Sequence, residues 1–318
     1  MQYPNPKIKF YKIRTFNEKL SVSFDFLREN WKQLLKLSLY LILPICLFQA
    51  FAMNSFMDIY FKTLGISTGT AFSDMNLYSI VINYLAVVVF LLLGSSMLYA
   101  LVFTMMIEYE RRDDRMMSIK MGDIRKPLIR NIGKLLTVYG LELVLILVIS
   151  GVFGLLMGIS SLTGVIILAV IMILVLVAIL VLLMIPMNLF MPIYIFEEIS
   201  FSQALKKSFR YGFSHFGDTF LVLLVFGFIA NIVSSVTSTP WMIIFFIGQF
   251  FTLAEPESGL NASVAYQFVV YILGIIQSYG SYASLIIVAI AIAFQYFHIR
   301  EKKEGITVAS DIQNFEHL

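Results

Sequence analysis

The sequence predicts an all-α integral membrane protein with six transmembrane helices, and three observations predict it. Of its 318 residues, 59% are hydrophobic and 14% are charged, whereas soluble domains carry about 25% charged residues. Six apolar segments each approach or exceed the roughly 20 residues that an α-helix needs to cross a bilayer. Lys and Arg residues cluster in alternate connecting segments, as they do in loops that face the cytoplasm.

The six predicted spans lie between a polar arm and a polar tail. The arm, 1–33, lacks the short apolar core and cleavage site of a signal peptide, so we expect none. The spans are predicted at 34–52, 77–107, 135–157, 165–194, 220–236 and 268–297, followed by a cytoplasmic tail at 298–318. The sequence GISSLTG at 158–164 predicts a tight turn that joins the third and fourth spans as a helical hairpin.

One further apolar segment, 241–254, is too short to cross a bilayer on its own. It follows Ser238, Thr239 and Pro240, a sequence that favours the end of a helix. A re-entrant or interfacial segment is one interpretation, and a kinked fifth helix that continues past Pro240 is the other. A seventh span would place the C-terminus outside the cell.

The distribution of charge predicts the orientation. Basic residues are frequent in the arm, in the connection after the second span, in the connection after the fourth span and in the tail. The three intervening loops contain one basic residue, Lys62, together with Asp58, Asp74, Glu255 and Glu257. The positive-inside rule then predicts a multi-pass protein of the bacterial inner membrane with both termini in the cytoplasm.

An internal repeat relates TFNEKLSVSF at 15–24 to SFSQALKKSF at 200–209. Both begin with a capping box, Ser or Thr followed three residues later by Glu or Gln. Both then place apolar residues at helical spacing beside basic ones, which is typical of amphipathic helices in the membrane interface. The second such helix is predicted at 200–217. The candidate lipid-facing residues of the two helices are Phe16, Leu20, Phe24, Trp31, Phe201, Leu205, Phe209 and Phe216.

The register of the repeat extends to its end, because Asn30 aligns with His215. A weaker third copy is predicted at 123–134, where Asn131 occupies the same position and Pro127 interrupts the pattern. The expected architecture is therefore an interfacial helix plus a transmembrane hairpin, three times in parallel. Secondary transporters often contain inverted repeats instead.

Three short sequences carry a resemblance to a known group of proteins. They are PIYIFE at 192–197, ALKKS at 204–208 and Phe216 before an apolar run. This pattern resembles a broad bacterial group of uncharacterised multi-pass proteins that includes the membrane domain of some glycerophosphoryl diester phosphodiesterases. The resemblance implies a fold and a membrane location more than an activity. The soluble phosphodiesterase domain and its histidine motifs have no counterpart in this sequence.

Glu142 is the one charged residue deep within a predicted span. Charge in that position is costly, so it indicates a proton relay, a cation site or a contact for a lipid headgroup. The structural alternative is a hydrogen bond to Tyr139, Asn83 or Gln277 on a neighbouring helix. With Asn83, Asn231 and Gln277, Glu142 forms the candidate intramembrane polar site.

The sequence contains no catalytic constellation, cofactor motif or metal-ligand cluster that we recognise. The pair Glu197 and Glu198 resembles the glutamates of CAAX-type membrane proteases, but Ser202 stands where those enzymes have arginine. The first hypothesis is a non-enzymatic scaffold, lipid-organising or accessory factor, whose partners are membrane lipids and other membrane proteins but not nucleic acid. The alternatives are a transporter or channel for a small or amphipathic substrate that uses Glu142, and a membrane-embedded enzyme that acts on lipid.

Overall fold

The computed structural model describes residues 6–63, 77–116, 119–163, 166–254 and 263–307, and every regular element within these ranges is a helix. Six of the seven helices are long and apolar enough to cross a membrane, which confirms the predicted fold class. The exception is α5, which has 14 residues. The helices are α1 Phe16–Thr63, α2 Leu77–Arg111, α3 Met121–Thr163, α4 Ile166–Phe196, α5 Phe201–Ser214, α6 Phe216–Ala254 and α7 Val264–Glu304.

Helix α1 contains both the amphipathic segment and the first predicted span. Its 48 residues continue without a break through 33–34, so the amphipathic segment leads directly into the first span. Its start is the predicted capping box, in which the Thr15 N–H donates to the Glu18 carboxylate at 2.7 Å. At 1.5 Å per residue the helix is ~72 Å long, which exceeds a hydrocarbon core of about 30 Å.

The turn predicted at 158–164 is wrong. Helix α3 continues to Thr163 and α4 begins at Ile166, which leaves only 164–165 between them. Those two residues lie outside the described ranges. A glycine inside a helical pattern costs about 1 kcal/mol relative to alanine but is tolerated, so Gly158 does not end α3.

Helix α6 passes through Pro240 and ends at Ala254. The segment 241–254 is therefore a helical continuation of the fifth span, which is the second of the two interpretations that the sequence left open. Proline removes one backbone donor, and nearby hydroxyl groups bond carbonyl oxygens of the preceding turn. Thr239 Oγ1 donates to the Ser235 carbonyl at 2.7 Å, and Thr237 Oγ1 donates to that of Ser234 at 2.8 Å.

The chain divides into two compact units, and four of the helices contribute to both. The first unit comprises Met1–Glu29, Phe103–Val225 and Ala289–Leu318, and the second comprises Asn30–Val102 and Phe226–Val288. All Lys and Arg residues except Lys32, Lys36 and Lys62 belong to the first unit. Of the charged residues assigned to the outer loops, Asp58 and Lys62 lie in the last turns of α1, so their assignment to a loop is wrong. Asp74, Glu255 and Glu257 lie outside the described residues.

An aromatic core holds the first unit together. The Phe10 ring stacks between Tyr109 and Phe297, at centroid distances of 5.6 and 5.0 Å. Phe26 meets Tyr109 edge-on at 5.2 Å, and Phe196 packs against Phe297 at 4.8 Å. Burial of these rings, together with their edge and stacking geometry, joins the arm to the ends of α2, α4 and α7.

Tyrosine hydroxyls and closely approaching helices characterise the second unit. The Tyr282 hydroxyl donates to the Phe90 carbonyl at 2.8 Å and also bonds the side chain of Gln49. A Cβ atom added at Gly94 would lie 2.3 Å from the Tyr282 ring. Glycine at this position therefore permits the close approach of α2 and α7.

Buried positions recur at equal intervals near the start of three spanning helices. Asn30, Asn131 and His215, which the predicted repeat equates, are all buried. The fourth and seventh residues after each of them are buried as well, namely Leu34 and Leu37, Leu135 and Val138, and Thr219 and Val222. The repeat itself stays a prediction of the sequence.

Candidate functional site

The last three turns of α7 hold the densest group of polar contacts in the first unit. Alternating polar and aromatic residues there face the arm, the end of α4, helix α5 and the start of α6. The polar members are Gln295, Tyr296, His298, Arg300, Glu301 and Glu304. Helical spacing directs them to different sides, so that one helix end contacts the arm, the start of α1, the end of α4, α5 and the start of α6.

Four charged side chains form what we call the ionic cluster: Glu197, Lys207, Arg300 and Glu304. The Glu197 carboxylate lies just after α4 and is 6% exposed. The Lys207 ammonium, on α5, donates to it at 2.7 Å, and the Arg300 Nε atom lies 3.7 Å away. Each carboxylate therefore faces two cations, which offsets the cost of removing its charge from water.

Glu304 closes the ionic cluster from the end of α7. Its carboxylate accepts a hydrogen bond from Arg300 Nε at 3.0 Å and another from the Lys207 ammonium. The Tyr211 hydroxyl donates to the same carboxylate at 2.6 Å. Burial, reinforced by this bond to a carboxylate, raises the pKa of Tyr211, so its phenol stays protonated as a donor.

Two further tyrosines complete the surroundings of Arg300. The Tyr296 hydroxyl donates to Glu197 at 3.0 Å and accepts from the Arg300 guanidinium at 3.0 Å. The Tyr11 hydroxyl accepts from the same guanidinium at 3.2 Å. Burial raises the pKa of Tyr11 and outweighs the opposing effect of Arg300.

The residue after Glu197 has an unusual backbone conformation. Glu198 has a φ of +53°, in the left-handed region that few side chains other than glycine adopt readily. Its side chain is more than half exposed and pairs with Arg130 at 2.5 Å. The two neighbouring glutamates therefore differ in surroundings, since Glu197 points into the ionic cluster and Glu198 lies at the surface.

The arm is fixed on both sides of Phe10. The Lys7 ammonium donates to the carbonyls of Glu110 and Arg112, at 2.8 and 3.0 Å, where it caps the end of α2. The Arg14 N–H donates to His298 Nδ1 at 3.0 Å. The Arg14 guanidinium donates to the Phe10 carbonyl at 2.8 Å, and burial lowers its pKa.

A buried lysine accompanies these contacts. The Lys19 ammonium, on α1, donates to Gln295 Oε1 at 2.8 Å, and Gln295 Nε2 donates to Thr219 Oγ1 at 2.9 Å. Gln295 and Thr219 are fully buried, and Lys19 is nearly so. The position equivalent to Lys19 in the predicted repeat is Ala204, which is also buried. This chain of three polar groups joins α1, α6 and α7.

The four residues of the candidate intramembrane polar site form no hydrogen bonds with one another in the described part of the chain. Asn83 donates to the Ser79 carbonyl of its own helix at 2.9 Å, and Gln277 accepts from its neighbour Ser278. Asn231 is exposed on α6. Glu142 is half-buried on α3, and no hydrogen bond or ion pair to it is present in the described part of the chain.

The candidate lipid-facing residues lie beside the buried face of their helices. Trp31 is 48% exposed, and the other seven side chains are half-buried. The buried positions of α5 are Ala204, Ser208, Tyr211 and Gly212. A Cβ atom at Gly212 would lie 3.0 Å from the Pro186 backbone, so α5 packs tightly against α4. The predicted stripe thus borders the packed face and stays partly accessible.

Lys207 and Arg300 are among the basic residues that predict the orientation, and their role in the ionic cluster was not predicted from the sequence. Helical spacing pairs Arg300 with Glu304, four residues later, and this was the available signal. The arrangement supplies fixed charges and donors rather than an open coordination site. No group of three or more His, Cys, Asp and Glu side chains is placed to hold a metal ion in the ranges that the structure describes.

Comparison of the chain with protein-family models, with curated proteins and with solved structures finds no match. The resemblance noted for 192–216 therefore stays a prediction. Within this segment the structure places Glu197, Lys207 and the buried face of α5, so the residues that carry the resemblance are those that build half of the ionic cluster.

Proposed function

We propose that this chain is a non-enzymatic membrane protein that acts as a scaffold and organises anionic lipids at the cytoplasmic face of the bacterial inner membrane. The observation that carries the proposal is the division of charge between the two units. The first unit holds 20 of the 23 basic and 16 of the 20 acidic residues, an excess of four positive charges, whereas the second unit holds three basic and four acidic residues. Part of this charge is paired within the ionic cluster. Exposed cations of the first unit, such as Arg125 and Lys126, would attract anionic headgroups at about 1 kcal/mol for each residue.

The two tryptophans provide a direct test of lipid enrichment. Trp31 is 48% exposed, and Trp241 is 4% exposed in a cluster with Phe245 and Val270. In a Trp241→Phe chain, Trp31 is the one tryptophan fluorophore. We expect brominated phosphatidylglycerol to quench it more strongly than brominated phosphatidylcholine at the same mole fraction. The excess should shrink with salt, because the Debye length falls from about 10 Å at 0.1 M to about 3 Å at 1 M.

The matched control is a Trp31→Phe chain that reports from buried Trp241. That chain should show no preference between the two brominated lipids. Equal quenching of Trp31 by both lipids at low salt would overturn the proposal that the protein gathers anionic lipid.

The proposed orientation has its own test. In a Cys46→Ala background, a single cysteine at position 62 should react with a membrane-impermeant maleimide added to intact cells. A single cysteine at position 118 should react only after the membrane is opened. The reverse result would contradict the positive-inside prediction and the cytoplasmic placement of both termini.

Glu142 favours a transporter as the second candidate. A half-buried carboxyl in a spanning helix, without a bonding partner in the described residues, suits a proton or cation path. In proteoliposomes with an imposed pH gradient, Glu142→Gln should abolish any proton flux that the wild-type chain supports. The control is Glu198→Gln, which changes an exposed carboxyl. Equal flux in empty, wild-type and variant liposomes would exclude a proton path.

A further inference from the structure

A groove of about 910 Å³ lies between the arm and one face of α1. Its helical wall includes Asn17, Ser21, Asp25 and Arg28, which recur every three or four residues and so share a face. Glu18, Val22 and Glu29 border this face. The opposite face of the same turns, with Lys19, Ser23 and Phe26, is buried. We call this feature the basic groove and define it by Lys9, Lys12, Asn17, Ser21, Asp25 and Arg28.

The arm holds its side of the basic groove in a fixed position. Phe10 is buried between two aromatic rings, Lys7 caps α2, and the Arg14 N–H bonds His298. Lys9 and Lys12 lie between these anchors, so their backbone positions are set before any ligand arrives. A preformed site does not have to order its own chain on binding, which favours affinity.

Most charges that line the basic groove already have partners. Arg115 pairs with Glu29 at 2.7 Å, and Glu18 caps α1 and lies 3.7 Å from Lys12. Lys9 and Arg28 are different, because both are exposed and neither side chain has a hydrogen-bond or ion-pair partner among the described residues. The basic groove therefore presents an ammonium and a guanidinium that the fold does not use.

These groups match the chemistry of a phosphate ester. A guanidinium binds two phosphate oxygens with parallel N–H donors, and an ammonium adds a compact positive charge. The amide of Asn17 and the hydroxyl of Ser21 offer neutral donors on the same wall. Asp25 accepts hydrogen bonds, so the matching ligand carries a hydroxyl or ammonium group next to its phosphate.

The position of the basic groove along α1 favours a lipid as the source of that phosphate. Trp31 follows Arg28 by three residues in the sequence, which is about 4.5 Å of rise in a helix. Tryptophan is enriched at the level of lipid headgroups. The Lys32 ammonium lies 5.7 Å from the centre of the Trp31 ring, a further basic group at this level.

We propose that the basic groove binds the phosphate of an anionic phospholipid headgroup, with Arg28 and Lys9 on the phosphate oxygens and Asp25 on a headgroup hydroxyl. The proposal deepens the lipid-organising function and rests on it. It adds one saturable site to the otherwise diffuse attraction of exposed lysine and arginine side chains for anionic lipid.

The test compares a Lys9→Gln/Arg28→Gln chain with a matched Arg125→Gln/Lys126→Gln chain. Both pairs are exposed, and both variants remove two charges from the first unit, but only the first pair lines the basic groove. The full-length proteins are reconstituted in nanodiscs of phosphatidylcholine and phosphatidylglycerol. Native mass spectrometry then counts the phosphatidylglycerol molecules that each protein retains on release.

We expect the wild-type and control chains to retain one phosphatidylglycerol molecule, and the groove variant to lose at least ten-fold in occupancy. Glycerol 1-phosphate and inorganic phosphate, titrated calorimetrically into detergent-solubilised protein, should bind at the same site with lower affinity. Binding of both small anions without retention of phosphatidylglycerol would overturn the lipid source and identify a site for soluble phosphate.

A variant that removes a negative charge is expected to strengthen binding, and this gain could not result from loss of folding. Asp25→Asn removes the one uncommitted negative charge of the basic groove, so inorganic phosphate should bind about two- to five-fold more tightly. Equal retention of phosphatidylglycerol by the groove and control variants would overturn the proposal. If Trp31 quenching still shows enriched anionic lipid in that case, the lipid-organising function stands without a specific site.

Discussion

Replacing Glu197 with glutamine tests whether the ionic cluster stabilises the first unit. The change removes one negative charge that is 6% exposed and that faces Lys207, Arg300 and the Tyr296 hydroxyl. Glu198→Gln is the matched control, because it makes the same chemical change one residue later. There the carboxylate and its partner Arg130 are 57% and 56% exposed.

The expected cost for Glu197→Gln is about 2–3 kcal/mol. Removing one partner of a buried ion pair typically costs about 3–5 kcal/mol, because the other charge is left uncompensated. Here Glu304 still pairs with both Lys207 and Arg300, and both cations are 21% exposed, so the loss should fall below that range. The exposed pair of Glu198 should contribute no more than about 1 kcal/mol.

The assay is unfolding in mixed micelles with increasing dodecyl sulfate, followed by near-ultraviolet circular dichroism of the tyrosines. Comparison of midpoints at constant slope gives the difference in unfolding free energy between the two variants. If Glu197→Gln and Glu198→Gln are equally stable, the cluster does not stabilise the unit, and the reasoning from its burial and pairing is refuted.

The same titration checks three further predictions. Gly94→Ala should lower the unfolding free energy by about 1–3 kcal/mol, because its new Cβ would collide with the Tyr282 ring. Gly140→Ala is the control, because nothing lies within 4 Å of its added Cβ. It should leave the stability unchanged or raise it by up to about 1 kcal/mol. Tyr282→Phe should cost about 0.5–1.5 kcal/mol through the lost bonds to Gln49 and a carbonyl oxygen, and a variant as stable as the wild type would contradict that role. Burial, with nearby lysine charges, lowers the pKa of His215 from 6.5, so the folded protein disfavours the imidazolium. Stability should be full above pH 6.5 and decrease as the pH falls through the lower folded pKa, and His215→Asn should reduce the loss measured between about pH 7.5 and about pH 5.5.

The spans could be predicted from the sequence because a bilayer constrains length and polarity directly. Any helix that crosses it needs about 20 apolar residues, whatever it packs against. The extent of two helices was harder to predict. Gly158 and the serines after it favour a turn in the sequence, but α3 continues to Thr163. Pro240 left two interpretations open, and the structure shows the one in which the fifth helix continues.

The ionic cluster could not be predicted in the same way. Glu304 and Lys207 are 97 residues apart in the sequence, and no local pattern relates them. The i,i+4 spacing of Arg300 and Glu304 indicates that these two residues form an ion pair. Their other partners depend on how α5 packs. The sequence identified Glu142 as an unusual residue. The described structure adds that no hydrogen-bond or ion-pair partner for its carboxyl group lies around it on α3.

The bond between Arg14 and His298 joins residues 284 positions apart. During synthesis the arm is made before α7, which supplies part of the surface that receives Phe10 and Arg14. At about 5–20 residues per second, His298 follows Arg14 by roughly 15 to 60 seconds. Phe10 can stack on Tyr109 once α2 is made, whereas its contact with Phe297 and the bond from Arg14 to His298 require α7. The arm therefore completes its packing late in synthesis, and a chain that stops before α7 would lack both of these contacts.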